Sequence, residues 1–177
     1  KDIYSSKNLG TNVVHYQTYR ILGQMARILG EPSDQYTGIA NRIRKGVNDR
    51  MWMKEKGYYG QYLYGRTFHT LSPRSEALGE ALAVLFDVAE PERQSEIVRS
   101  TPVTTYGIPC IFPQTPNIPP YHNDAVWPFV EAYWAWASAK VKNEKSVEQA
   151  LASIYRAAGL FLTNKENMVA WIGIRTY

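Results

Sequence analysis

The sequence predicts an all-α domain built from antiparallel helical hairpins. Apolar residues recur at three- and four-residue spacing through most of the chain. Proline and glycine break that period at intervals. The helix starts marked in this way also repeat. Odd helices are predicted to begin near positions 15, 75 and 126 and even helices near 34, 92 and 146, a period of about 55 residues with one hairpin per repeat. Three such hairpins can stack into a solenoid or form an arc of a closed ring.

The first helix, 15–29, carries Tyr19, Leu22, Met25, Ala26 and Leu29 on one face, and Gly30 and Pro32 end it. Ser33 and Asp34 offer an N-cap for a second helix running to about Met53 through Tyr36, Ile39, Ala40, Ile43, Val47 and Trp52. The segment 57–65 alternates aromatics between glycines and reads as a short extended or β-hairpin-like stretch. Ser72-Pro73 is predicted to open the third helix, with Ser as cap and Pro at the first helical position. Its buried stripe is Ala77, Leu78, Ala81, Leu82, Leu85 and Phe86. Glu90-Pro91 stops it and starts a fourth helix, from Glu92 to about Ser100. The connection 101–121 holds Pro102, Pro109, Pro113, Pro116, Pro119 and Pro120, which forbid helix; a connection this long in a compact domain is usually functional. A fifth helix runs from Val126 to about Val141, with Pro128 in its first turn, and a sixth from Ser146 to Phe161.

At 177 residues the chain is long enough for one domain with its own core, and 45% apolar residues with a net charge of +4 exclude a disordered chain. Cys110 is alone, which excludes an intrachain disulfide and a multi-cysteine zinc site and leaves the compartment open. Apolar runs such as 132–139 are too short to span a bilayer, so no membrane partner is expected. Arg42, Arg44, Lys45, Arg50, Lys54 and Lys56 are interspersed with Asp49 and Glu55. They read as one solvated helix face and not as a nucleic-acid surface. Lys1 at one end and the apolar residues 171–177 at the other do not read as natural boundaries, so a piece of a longer protein is expected. Thirteen Tyr and five Trp suit wet concave surfaces that stack flat ligands such as sugar rings, and equally suit helix–helix seams.

Polar, chemically capable residues precede each odd helix: Asn12 and His15; Ser72, Arg74, Ser75 and Glu76; Tyr121, His122, Asn123 and Asp124. The even helices start on plain caps and turns. If the odd helices form the inside of a ring, their N-termini converge at one mouth, and free N–H groups with partial positive charge favour oxygen-rich ligands there. Tyr121-His122-Asn123-Asp124-Ala125-Val126-Trp127-Pro128 resembles the Tyr-His-Asn-Gly-x-Val-Trp-Pro signature of six-hairpin glycosidases, notably glycogen-debranching-type amylo-glucosidases. Ser72-Pro73-Arg74-Ser75-Glu76-Ala77-Leu78-Gly79-Glu80-Ala81-Leu82 is similar to another inner-helix start of such proteins, and Trp52 with Gly57-Tyr58-Tyr59 to the turn after their outer helices. The motifs cover about twenty residues. Asp124 departs from the pattern, which has Gly there. The resemblance implies an (α/α)6 toroid, of which three hairpins are about half, and a glycosidase acting on an oligo- or polysaccharide.

Glycoside hydrolysis needs two carboxyl groups, one protonated as acid and one ionised as base or nucleophile. Asp124 and Glu76 are the expected catalytic pair, against the plainer roles of N-cap and first-turn dipole partner. Arg74 is expected to hold a carboxylate ionised. His122 and Asn123 suit sugar hydroxyls, with Tyr121 beside them in the motif, and Trp127 suits ring stacking or core packing. Glu131 is expected to point into the barrel or make a structural salt link. Glu80, one turn after Glu76, reads as a buried hydrogen-bonding residue. His15 is a weaker binding candidate, and His69 fits either role. The three histidines lack metal-ligand spacing, Cys110 lacks a base partner, and no phosphate-binding or dinucleotide glycine motif occurs, so no metal or cofactor is expected. Two other functions compete. A sugar epimerase or isomerase on a similar toroid would use histidines for proton transfer, and a non-catalytic helical-repeat binding module would need neither carboxylate. The expected partners are a carbohydrate, and either the rest of a parent chain or a second copy.

Overall fold

The computed structural model describes residues 5–163 and 165–173; Lys1 and residues 174–177, noted above as ends, lie outside the described residues. The first helix, α1 (Leu9–Ile28), starts well before the expected position 15. Asn8 is its N-cap, with Oδ1 accepting the Thr11 N–H at 2.8 Å. Leu9 and Val13 are fully buried and carry the helical stripe back to Asn8. The second helix, α2 (Asp34–Arg50), begins after Ser33 as expected. It ends short of Met53 because Trp52–Met53 (β2) is extended and pairs with Tyr58–Tyr59 (β3).

The stretch 57–65 is extended, and its two strands pair with different partners. β3 pairs back to β2, whereas Tyr62–Tyr64 (β4) lies between Lys7–Asn8 (β1) and Thr70–Leu71 (β5). The third helix, α3 (Ala77–Leu85), does not open at Ser72-Pro73. There the Ser72 N–H donates to the Tyr62 carbonyl and the Gln61 N–H to the Arg74 carbonyl, both at 2.7 Å, which keeps the chain extended. Ser75–Glu76 (β6) then pairs with Ile111–Phe112 (β7) of the proline-rich connection. That connection is therefore strapped down rather than structureless.

The remaining helices are α4 (Pro91–Ser100), α5 (Pro128–Lys140) and α6 (Glu144–Phe161). Pro91 and Pro128 occupy first-turn positions, where a missing N–H leaves no bond unmade. Asn143 caps α6 by accepting the Ser146 N–H at 3.1 Å. Ala125–Val126 (β8) pairs with Met168–Val169 (β9), which brings the chain after α6 back to the start of α5.

The helices form two rows. α1, α3 and α5 pack side by side, α2 lies on α1, α4 on α3 and α6 on α5. The core between the rows is built on Leu9, Val13, Tyr59, Val84, Ile97 and Trp134, all buried. One residue joins two inner helices through its backbone: the Cys110 carbonyl accepts the Ala77 N–H at 3.0 Å, and its N–H donates to the Ala125 carbonyl at 2.8 Å. Among the described residues no helix is long and apolar enough to cross a membrane.

Candidate active site

The N-termini of α1, α3 and α5 meet at a cleft of about 660 Å³. Thr11 and His15 reach it from α1, Tyr62 from β4, Glu76 from the start of α3, and His122 and Trp127 from the start of α5. Cys110 and Ile111 bring the proline-rich connection to its edge. Tyr121, His122 and Trp127 form one aromatic group: the His122 ring centroid lies 4.7 Å from that of Tyr121 and 4.8 Å from that of Trp127. Phe129 extends it, 5.8 Å from Trp127. The Trp127 indole N–H donates to the Tyr121 carbonyl at 2.7 Å, which fixes the ring as a wall of the cleft.

Glu76 is the one carboxyl among the described residues that line the cleft. It stands at the N-cap position of α3. Burial pushes its pKa up to about 7, and the N–H groups of Gly79, Leu78 and Gly10 offset part of that rise. The closeness of two glycines is needed here. A Cβ on Gly79 would lie 2.5 Å from Glu76 Oε2, and one on Gly10 at 3.2 Å. Arg74, expected to hold a carboxylate ionised, instead donates Nε–H to the Pro113 carbonyl at 3.0 Å. No ion pair among the described residues involves Glu76 or Asp124. With no ion-pair partner among the described residues, desolvation decides, and Glu76 titrates around neutral pH. Glu80 is fully buried, accepts the Tyr59 N–H at 2.9 Å, and is pushed well up by burial first and by Glu76 second.

Asp124, the other expected catalytic residue, is not among the residues that line the cleft. Its φ of 55° is left-handed, the conformation that favours glycine and that Asp tolerates among the few. That conformation accounts for an Asp where the resembled signature has Gly. Its carboxylate accepts a hydrogen bond from Gln114 Nε2. Burial raises its pKa and the Gln114 bond opposes the rise. Asp124→Asn, whose amide oxygen still accepts from Gln114 and which tolerates the same φ, is expected to leave turnover within about threefold and stability within about 1 kcal/mol. Steady-state kinetics and a thermal melt on the same preparation check it.

Asn123 is also committed elsewhere. Its Oδ1 accepts the Thr115 N–H at 2.6 Å, and its Nδ2 donates to the Ile118 carbonyl at 2.8 Å and the Thr115 carbonyl at 3.2 Å. It ties down the proline-rich connection instead of facing the cleft. Glu131 is not among the residues that line the cleft and makes no ion pair among the described residues. It is buried, accepts the Ile108 N–H at 2.5 Å, and is held by Ser153. His69 is exposed and outside the cleft. Sequence reasoning missed Thr11 and Tyr62, because it started α1 too late and left 57–65 without a direction. Tyr121 donates its hydroxyl to Glu166 Oε1 at 3.4 Å, and neither residue is among those that line the cleft.

Glu131 carries a pH dependence of stability. Burial raises its folded pKa from 4.5 to about 8, above the Ile108 and Ser153 bonds that lower it. The folded state therefore binds this proton more tightly than the unfolded chain. The stabilisation is fully present below about pH 4.5 and is lost as pH rises through about 8. Melting temperature is expected to fall over that window, and to fall less in Glu131→Gln, which still accepts from Ile108. Melts at stepped pH read the difference.

The family model of the mannosylglycerate hydrolase MGH1-like glycoside hydrolase domain matches residues 5–167. The chain belongs to this family. Among solved structures, it is similar to a GH63 mannosylglycerate hydrolase from Thermus thermophilus in complex with Tris, at 17% identity and a TM-score of 0.76, covering 96% of this chain and 41% of that one. Another structure of that hydrolase, in complex with glucose, matches at 17% identity and a TM-score of 0.74 over 96% and 41%. A neutral trehalase from Saccharomyces cerevisiae matches at 11% identity and a TM-score of 0.74 over 94% and 34%. No curated protein matches the chain. These likenesses show the fold: this MGH1-like domain folds as the helical hairpins of the (α/α)6-toroid glycosidases, as the signature implied. It spans about two fifths of the length of the Thermus hydrolase structures.

Proposed function

We propose that this chain forms one side of the active-site mouth of a glycoside hydrolase, with Glu76 as the general acid. The observation that carries the reading is a carboxyl in a cleft with an aromatic wall, raised by burial to a pKa of about 7 and in no ion pair among the described residues. Glu76 gives its proton to the leaving glycosidic oxygen as the C–O bond breaks, and the N–H groups of Gly79, Leu78 and Gly10 steady the carboxylate that remains. Trp127, His122 and Phe129 offer a face for the sugar ring, while His15, Thr11 and Tyr62 offer polar contacts to its hydroxyls. The second carboxylate that hydrolysis needs is not among the described residues that line the cleft, and the remaining hairpins of a parent chain supply it. A cleft of this volume takes about two hexose units, so the substrate is a small glycoside or the end of an oligosaccharide.

The test is product analysis on the intact protein with a panel of glycosides. Hydrolysis releases a new reducing end. One observation favours the epimerase reading: His15 and His122 both line the cleft. Epimerisation would give a product of unchanged mass with no new reducing end.

The three hairpins are an arc, and the remaining hairpins of a parent chain complete the ring. At the end of α1, Met25, Ile28 and the C-cap Leu29 are 52%, 83% and 74% exposed, and α6 exposes Tyr155 and Leu160 at 74% and 56%. Apolar side chains left uncovered at both edges favour association. The isolated chain is expected to self-associate in a concentration-dependent way by sedimentation velocity. A monodisperse monomer with a sharp, concentration-independent melt counts against this reading.

A further inference from the structure

The three-stranded sheet of β1, β4 and β5 has two unlike faces. Leu63, in the middle of β4, is buried, and Leu71 opposite it on β5 packs against the core. Side chains alternate along a strand, so Tyr62 and Tyr64 share the other face, and both are half-buried. Their rings stack, with centroids 5.4 Å apart and 29° between the planes. Tyr62 lines the cleft, whereas Tyr64 is not among the described residues that do. The stack therefore carries an aromatic surface one pleat beyond the cleft wall.

The residues across from the two tyrosines are polar. Asn8 of β1 pairs with Tyr62, and Thr70 of β5 pairs with Tyr64. Cross-strand partners share a face of the sheet. Asn8 lines the cleft with Tyr62, and Thr70 is exposed beside Tyr64. Burial and then Tyr62 raise the Tyr64 pKa, and Arg74 opposes them, which puts a guanidinium near the Tyr64 hydroxyl. Arg74 is itself anchored by its bond to the Pro113 carbonyl. Contact between the two rings also supports β4, a role that needs no ligand. That role gives no reason for the polar flanks or for the continuity with the cleft.

We propose that the Tyr62–Tyr64 stack is a further sugar subsite, in which a third unit of an oligosaccharide lies against Tyr64 while the first two occupy the cleft. This rests on the glycosidase reading above and narrows its substrate to the end of an oligosaccharide. A hexose has an apolar C–H face and a rim of hydroxyls. A flat ring among Thr70, Arg74 and its own phenol offers a match to both.

The test is calorimetric titration of the intact protein carrying Glu76→Gln, which turns over too slowly to consume the probe. The probes are α-linked gluco- and manno-oligosaccharides of two and three units. Affinity is expected to rise about tenfold from the disaccharide to the trisaccharide of the series that binds. Adding Tyr64→Ala should abolish that rise, and adding Tyr64→Phe, which keeps the ring, should preserve it. Tyr64→Leu keeps apolar bulk for the sheet without a flat ring and should also abolish it, so the test survives a failure of the alanine variant to fold. Equal affinity for the two lengths overturns the proposal, and so does a rise that persists in Tyr64→Leu. New reducing ends released from the disaccharide by the wild type, together with equal affinities, overturn this subsite and leave the glycosidase reading in place. A tenfold rise that depends on Tyr64, with no hydrolysis by the wild type, upholds the subsite and overturns the glycosidase reading instead.

Discussion

Replacing Glu76 by glutamine in the intact protein is expected to lower kcat by about 10²- to 10⁴-fold, the range that a positioned general acid contributes. The substitution is isosteric with the protonated carboxyl. Its amide oxygen still faces the N–H groups of Gly79, Leu78 and Gly10, and only the transferable proton is gone. Substrate affinity should change little, so KM moves far less than kcat. In the wild type, activity should fall as pH rises through about 7, where Glu76 loses its proton, and that limb should be missing from the residual rate of the variant. Stability should move the other way. The folded pKa of Glu76 is raised from 4.5 to about 7, so above that pH the wild type holds a buried charge that glutamine does not have. Melts above pH 7 should favour the variant. Wild-type turnover in Glu76→Gln would reduce Glu76 to a helix-start residue.

The largest effect on stability is expected from Gly107→Ala. Gly107 has φ 139°, a conformation that side-chain-bearing residues rarely adopt. A Cβ there would run into the Glu131 carboxylate and lie 2.6 Å from Ser153 Oγ and 2.9 Å from Val126 Cγ1. Backbone strain of about 1–3 kcal/mol adds to the loss of the bonds that Glu131 receives from Ile108 and Ser153. The sum is about 3–5 kcal/mol, or about 10 °C in Tm for a chain of this length. Adding Glu131→Ala should cost less in the Gly107→Ala background than alone, because the clash is then removed while the strain stays. Full additivity of the two would show that the two residues do not meet.

Much of this was legible from local chemistry. Pro91 and Pro128 mark helix starts because proline fixes its own φ wherever it stands. The convergence of the odd helices followed from the repeat. What could not be read depended on partners distant in sequence. Ser72-Pro73 has the chemistry of a cap and a first turn, but Tyr62 and Gln61 hold it extended. The apolar repeat puts the start of the first helix at 15, and only the Asn8 cap shows that it begins at Leu9. Glu76 and Asp124 had equal claims in sequence. They are separated by a left-handed φ at Asp124 and by the side chain of Gln114, neither of which leaves a periodic signal. Asn123 has the polarity of a sugar contact, and only the path of the proline-rich connection shows that its amide is already engaged.

Cys110 separates what can be substituted from what must be counted. Its two backbone groups reach α3 at Ala77 and, at Ala125, the strand β8 that leads into α5, while its side chain adds only a weak acceptor for the Trp127 backbone N–H. A residue of similar bulk can replace the thiol at small cost, because the tie is indifferent to side-chain chemistry. An insertion or deletion of one residue between Gly107 and Ile111 is different in kind. It shifts the partners of both helix starts at once and moves Glu76 relative to Trp127, although every side chain of the cleft is intact. The spacing of a short run of backbone, which carries no catalytic group, thus acts as the gauge that sets the width of the mouth.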